Sequence, residues 1–268
     1  MNQTNQGNGQ KTALITGASG GIGYELAKLF ARDRYNLVLV ARSEKKLGEI
    51  AQDFTATFGI SVTILSKDLA IPTAPEEIFT ELQQKSITVE VLVNNAGFAT
   101  YGLFAETDLN TELQMMQVNM VALTHLTKFF LKDMVKQGEG KILNIASMAA
   151  FEPGPLMAVY YATKAYVLSF SEAIANELEG SGVTVTVLCP GPTESGFQKR
   201  ADMEKSKLFS GQQIMDTQSV AEIGYRGLME NKTLVIAGVK NQFLAQLVRF
   251  MPRKLVTKLV RKMQEAAD

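Results

Sequence analysis

Lys11-Thr12-Ala13-Leu14-Ile15-Thr16-Gly17-Ala18-Ser19-Gly20-Gly21-Ile22-Gly23 is the stretch whose reading decides the fold. Thr12 to Thr16 is a short apolar and β-branched run without polar alternation, the pattern of a strand buried on both faces. Gly17, Gly20, Gly21 and Gly23 then make a turn, and helical periodicity begins near Ile22. A glycine-rich turn between a strand and a helix lets the backbone approach a pyrophosphate closely. The helix N-terminus behind it offers unpaired amides and partial positive charge. Such a turn means little alone and considerably more directly after an apolar strand.

Outward from this turn, apolar runs alternate with segments of helical period. Strands are predicted at Thr12 to Thr16, Leu37 to Ala41, Val62 to Ser66, Val89 to Val93, Lys141 to Ala146, Val183 to Cys189 and Thr233 to Ala237. Helices are predicted at Ile22 to Asp33, Glu44 to Phe58, Ala74 to Lys85, Leu109 to Lys136, Val159 to Glu179 and Ser219 to Glu230. This order predicts an α/β fold, a doubly wound parallel sheet of seven strands in a single domain. Residues 1–10 read as a disordered polar N-terminus, 11–240 as the sheet domain and 241–268 as a basic amphipathic helical extension. The longest irregular segment, Pro190 to Asp216, falls where a substrate loop belongs, because ligands bind beyond the carboxyl ends of such strands.

Composition narrows the function classes. The 268 residues are 46% hydrophobic and 20% charged, with no apolar run long enough for a membrane span. The N-terminal residues lack a basic flank and apolar centre, so a cytosolic or otherwise reducing location is expected. Basic and acidic residues balance at 27 each, which argues against nucleic acid as a partner. Cys189 and His125 are the single cysteine and histidine, too few for a Cys/His metal site, and no metal is predicted. Cys189 reads as a core thiol and His125 as a packed helical side chain.

Further candidates recur at the strands' carboxyl ends. The second strand ends in Arg42-Ser43 with no carboxylate, which suits a ribose phosphate and so points to NADP(H) rather than NAD. Asp68-Leu69 follows the third strand and can meet an adenine amine, and Asn95-Ala96-Gly97 follows the fourth, where small residues let the chain pass close to a ribose. Each alone is an ordinary turn; their common placement is the signal. Tyr160 and Lys164 are four apart on a helix and share a face. A neighbouring ammonium lowers a phenol's pKa toward working pH, which would make Tyr160 an acid/base beside Lys164, but Tyr and Lys at this spacing also occur often by chance. Ser147, thirteen positions earlier, can orient a substrate oxygen, and Asn119 sits mid-helix, where Asn is mildly unfavourable and can hold a water.

Thr16-Gly17-x-x-x-Gly21-x-Gly23, Asn94-Asn95-Ala96-Gly97, Asn119, Ser147, Tyr160-x-x-x-Lys164 and Pro190-Gly191 together resemble the signature set of the single-domain short-chain dehydrogenases/reductases, from about Lys11 to Ala237. That resemblance implies an NADP(H)-dependent oxidoreductase interconverting a carbonyl and an alcohol. It implies a tetrad of Asn119, Ser147, Tyr160 and Lys164, with Tyr160 exchanging the proton, Lys164 also binding the nicotinamide ribose, and Asn119 holding the water of a proton relay. It implies cofactor contacts at Thr16, Gly17, Ser19, Gly21, Ile22, Gly23, Arg42, Ser43, Asp68, Leu69, Asn95, Ala96 and Gly97. Pro190, Gly191, Thr193 and Ser195 look like the loop meeting the carboxamide and phosphates, with Ser195 where the family more often has Thr. It implies a homodimer or homotetramer built on the long helices. Tyr161, beside Tyr160, reads as packing or substrate wall.

Beyond the last strand, Leu244, Leu247, Val248 and Met251 form one apolar stripe, and Leu255, Val256, Leu259, Val260 and Met263 another, separated by Pro252. Two readings of this basic tail stand: packing on its own domain or a partner subunit, and peripheral docking on an anionic membrane. With the loop Phe197 to Phe209, it hints at an apolar, acyl or lipid-like ketone as substrate. The alternative functions are a non-catalytic NADP(H)-binding sensor, whose expected mark is loss of Tyr or Lys from the tetrad, and a membrane-associated scaffold.

Overall fold

In the computed structural model of the chain, residues 10–194 and 214–265 are described, and the apolar runs lie side by side as one parallel sheet. The elements are β1 (Thr12–Thr16), α1 (Gly21–Arg32), β2 (Asn36–Ala41), α2 (Glu44–Phe58), β3 (Val62–Ser66), α3 (Ala74–Gln84), β4 (Val91–Asn94), α4 (Leu109–Met116), α5 (Leu123–Gln137), β5 (Gly140–Ile145), α6 (Ala158–Glu177) and β6 (Val183–Cys189). They continue with β7 (Thr193–Glu194), β8 (Met215–Asp216), α7 (Thr217–Met229), β9 (Leu234–Ile236), α8 (Val239–Leu247) and α9 (Arg253–Gln264). The main sheet has seven strands in the order β3-β2-β1-β4-β5-β6-β9, and β7 and β8 pair separately.

Helices cover both faces, as two-sided strand burial requires. On one side Leu26, Phe30, Leu47, Phe54 and Tyr225 of α1, α2 and α7 pack on the sheet. On the other, Ile78, Leu82, Leu126, Phe130 and Leu178 form the second layer. A polar ladder pins that second layer. Asn94 Nδ2 donates to Asn144 Oδ1 (2.9 Å) and Thr127 Oγ1 (3.0 Å), and Asn144 Nδ2 donates to Ser171 Oγ (2.8 Å), joining α5, β4, β5 and α6. Because Asn94 and Asn144 are register partners at the strand ends, the ladder fixes where the loops beyond them start.

The predicted elements are found, with four instructive differences. β4 covers Val91–Asn94 rather than Val89 to Val93, since Asn94 still pairs with β5. The β7-β8 pair was not predicted, two residues being too short to leave a pattern. The long helix expected from Leu109 to Lys136 is interrupted by a π-helical turn, Gln117–Ala122, which carries Asn119; such turns re-aim side chains at sites. The tail forms the two expected helices broken at Pro252, although α8 begins at Val239, before the expected boundary. Residues 1–9, Ser195 and the loop Phe197 to Phe209 lie outside the described residues. No helix among the described residues is long and apolar enough to cross a membrane.

Candidate active site

Between β1 and β4 the strand order reverses, so the chains leaving these two neighbours diverge and open a crevice. Thr16 holds its edges together. Its Oγ accepts from the amides of Asn95 and Ala96 (both 3.0 Å) and donates to Val93 O (3.3 Å), while Asn95 Nδ2 donates to Thr16 O (2.9 Å) and Gly17 O (3.2 Å). This close approach dictates the glycines. A Cβ at Gly23 would stand 2.4 Å from both Gly17 O and Asn95 Nδ2, and Gly17 has φ +66°. At Gly20, by contrast, a Cβ would meet nothing within 4 Å, and α1 starts there with no side-chain cap. The open space at uncapped helix amides fits a pyrophosphate.

From there a cleft of about 1200 Å³ runs along the strand ends. Its half beside the glycine turn is lined by Ser19, Gly21, Ile22, Arg42, Ser43, Asp68 and Leu69, all candidates from the sequence, and also by Lys46 and Lys67. Ser43 caps α2, accepting from Lys46 N (3.4 Å), so the first turn of that helix brings Lys46 beside Arg42. Asp68 accepts from Ala70 N (3.0 Å), which fixes its turn. Lys67 is paired with Glu77 at 2.7 Å, leaving Arg42 and Lys46 as the exposed cations of this wall.

The other half gathers the expected tetrad. Tyr160 and Lys164 project from one face of α6 and are buried, and Ser147, just beyond β5, hydrogen-bonds the Tyr160 phenol. Lys164 Nζ donates to Ile145 O (2.8 Å) and lies 5.7 Å from the Tyr160 ring centroid. Asn119 does not face solvent: Oδ1 accepts from Phe98 N (3.2 Å), and Nδ2 donates to Phe98 O (3.0 Å) and Thr163 Oγ1 (3.1 Å). It therefore clamps the loop after β4 to α6. Gly97 lies between: a Cβ there would be 3.1 Å from Asn119 Oδ1 and 3.5 Å from Lys164 Nζ.

Electrostatics here are governed by dryness. Burial pushes the Tyr160 phenol up to about 12, against the opposing hydrogen bond from Ser147, and takes the Lys164 amine down to about 8. The expected lowering of the Tyr160 pKa by Lys164 is therefore not found. The amine is bonded to a main-chain carbonyl and stands over the ring, and desolvation outweighs it. Cys189 is likewise held up at about 12 by burial and stays a neutral core thiol. His125 stacks on Phe129 at 4.7 Å, away from the cleft lining.

The half around Tyr160, where a substrate would lie, is walled by Phe98, Met148, Phe151 and Met157, and by the tail through Leu244, Val248, Met251, Val256, Val260 and Gln264. Gln264 Nε2 donates to Tyr161 Oη (2.5 Å) and Tyr101 Oη donates to Gln264 O (2.6 Å), latching α9 over the catalytic face of α6. Tyr161 is thus wall and latch, and Glu152, its carboxyl pKa raised by burial, also lines this half.

Among the predicted cofactor residues, Ser19, Gly17, Gly21, Ile22, Asn95, Ala96, Gly97, Pro190, Gly191 and Thr193 line the cleft, whereas Thr16 and Gly23 stand behind its wall and position the others. Ser195 lies outside the described residues. Lys46, Glu152, Asn241 and Gln264 were missed. Asn241 Nδ2 donates to Ala237 O (2.6 Å) and would be 2.5 Å from a Cβ on Gly191, so the tail abuts the loop after β6. Only Lys46 left a usable signal, one turn into a helix that starts at Arg42-Ser43.

Fold and cleft together define a dinucleotide-binding α/β enzyme class. A sequence profile described as short chain dehydrogenase matches residues 11–206, and the chain belongs to that family, whose members are oxidoreductases acting on alcohol and carbonyl groups. The chain is 30% identical over 242 residues to the ketoacyl reductase HetN of Nostoc, covering 90% of this chain and 83% of that protein. A very-long-chain 3-oxoacyl-CoA reductase of Pyrenophora tritici-repentis is 35% identical over 178 residues, with 65% of this chain and 52% of that protein covered. Among solved structures, a short-chain dehydrogenase from Sphingobium yanoikuyae in complex with NADPH superposes with a TM-score of 0.81 at 30% identity, covering 96% of this chain and 98% of that one.

Because the crevice leaves no room for a methyl group at Gly23, Gly23→Ala should force the Thr16–Asn95 contact apart. The expected result is at least about tenfold weaker nicotinamide dinucleotide binding by fluorescence titration, with a lowered melting temperature. Unchanged binding would show that the contact does not shape the site.

Proposed function

We propose that this chain reduces the carbonyl of an apolar or acyl-type ketone to an alcohol with NADPH. The observation that carries the reading is the buried Ser147–Tyr160 hydrogen bond, with Lys164 behind it, at the junction of the glycine-turn crevice and an apolar pocket. Bound NADPH supplies the hydride. Ser147 and Tyr160 Oη hold the carbonyl oxygen, and Tyr160, protonated throughout the neutral range, gives its proton to that oxygen as negative charge develops there. Lys164 stabilises the phenolate left behind and uses its remaining N–H donors on the nicotinamide ribose. Asn119 is a positioning residue in the proton path, fixing Phe98 and Thr163 around it. Arg42, with Ser43 and Lys46, takes the ribose phosphate that distinguishes NADPH from NADH. The exposed apolar residues Leu109, Leu113, Met116 and Val121 along α4 and the π turn support self-association into a homodimer or homotetramer.

Tyr160→Phe removes the phenolic hydroxyl, and with it the transferable proton and the hydrogen bond to Ser147, while keeping the ring. Steady-state reduction of medium-chain ketones and 3-oxoacyl thioesters should fall by at least about a hundredfold, with NADPH affinity retained. Equal turnover by the variant would move the chemistry elsewhere; tight NADPH binding with no turnover by either protein would favour a sensor.

The pH profile carries a sign. Lys164 is cationic below about 8 and loses its proton above, while the phenol stays protonated to about 12. The reduction rate at saturating substrates should therefore be level at neutrality and decline as pH rises through about 8. A rate that climbs through that range would contradict the assigned roles.

Replacing both Arg42 and Lys46 by Ala should weaken NADPH binding by about tenfold or more and leave NADH binding nearly unaltered, read by parallel titrations. Equal losses for both nucleotides would remove these residues from phosphate recognition.

A further inference from the structure

The tail presents two different faces. Inward, Val256, Val260 and Gln264 are buried against Met157, Tyr160 and Tyr161. Outward, Val239, Phe243, Leu247 and Phe250 recur at helical spacing along α8 and the turn that follows it, and Phe243 and Phe250 are 67% and 85% exposed. Leu255 and Leu259 extend this apolar surface onto α9. Around it stand the exposed cations Lys240, Arg249, Arg253, Lys254, Lys258 and Lys262, and no acidic residue occurs between Glu230 and Glu265. Glu265 itself pairs with Arg261.

A polyanion such as nucleic acid would account for the cations but not for phenyl rings held in water beside them. The domain cannot cover the outer stripe, because it occupies the inner one. An anionic bilayer satisfies both, with headgroups meeting the Lys and Arg side chains and the apolar stripe entering the interface. The placement also bears on catalysis: Leu247 and Leu259 are half-exposed on this outer surface and line the cleft as well. The mouth of the substrate half therefore opens within the docking surface.

We propose that α8 and α9 form an interfacial lid, seated on an anionic membrane through Phe243, Phe250 and the surrounding cations, and that apolar carbonyl compounds enter the cleft from the bilayer past Leu247 and Leu259. The docking is independent of the reductase reading; the entry route rests on it only in calling the guest a substrate. Both are testable without turnover.

The full chain is sedimented with vesicles of phosphatidylcholine alone and of phosphatidylcholine with phosphatidylserine, the second set carrying a pyrene-labelled fatty ketone. The expected result is co-sedimentation with the anionic vesicles only, weakened by salt, and loss of pyrene excimer emission as the ketone leaves the bilayer for the protein. Phe243→Ser with Phe250→Ser, and separately Lys254→Glu with Lys258→Glu, should each weaken vesicle binding by at least about tenfold and abolish the excimer loss. None of these four residues lines the cleft, so NADPH affinity and melting temperature serve as folding controls. Failure to bind anionic vesicles, equal binding to both kinds, or full binding by the variants would overturn the docking. Docking without excimer loss would overturn the entry route. Tyr160→Phe should dock and extract the ketone like the unaltered chain, so a chain that docks but reduces nothing indicts the reductase reading alone.

Discussion

Thr16 and Asn95 meet where two neighbouring strands part company, and the site follows from that contact. At a reversal of strand order the amides of the outgoing loops lose their sheet partners and must find others. One hydroxyl and one carboxamide supply them, within a contact so close that a side chain is excluded at Gly23. The glycine turn is then free to present uncapped α1 amides to the crevice, and the loop after β4 is delivered to Asn119, which in turn holds α6 and its reactive face.

The second constraint is dehydration. A phenol and an amine buried in one pocket are both driven toward their neutral forms, one pKa up and the other down. In the proposed reduction such a pair would suit proton donation to a carbonyl: the acid would keep its proton until charge develops on the substrate oxygen, and the amine would carry positive charge when the phenolate forms. The same dryness that keeps Cys189 neutral keeps Tyr160 protonated. Much of it comes from the tail, since α9 closes the apolar cluster around both tyrosines.

That makes the tail a part of the cleft rather than an appendage. Gln264 ties its end to Tyr161, Asn241 sets its beginning against Gly191, and the hydrophobic walls between them belong to the cleft. Apolar walls of this kind select by shape and apolar area, and Glu152, whose carboxyl is held above its ordinary pKa by burial, is one of the polar groups that could read a second polar group on a guest.

How much was legible in the sequence depended on range. Strand burial, the glycine turn and the four-residue spacing of Tyr160 and Lys164 are local, so periodicity and spacing revealed them. The helical break at Pro252 was equally plain. The π turn at Asn119 left no trace, because α and π turns take the same residue types and differ only in which carbonyl a neighbour engages. The direction of the Tyr160 shift also escaped: spacing tells that two side chains share a face, not how much water surrounds them. By itself the sequence determined the doubly wound sheet, the order of its loops and which candidate side chains stand at the strand ends, since these are written in short-range pattern. Only the tertiary structure decided that the tail roofs the pocket, which of its faces the domain leaves uncovered and how the buried groups titrate, because burial is a property of everything that packs around a residue and not of its neighbours in the chain.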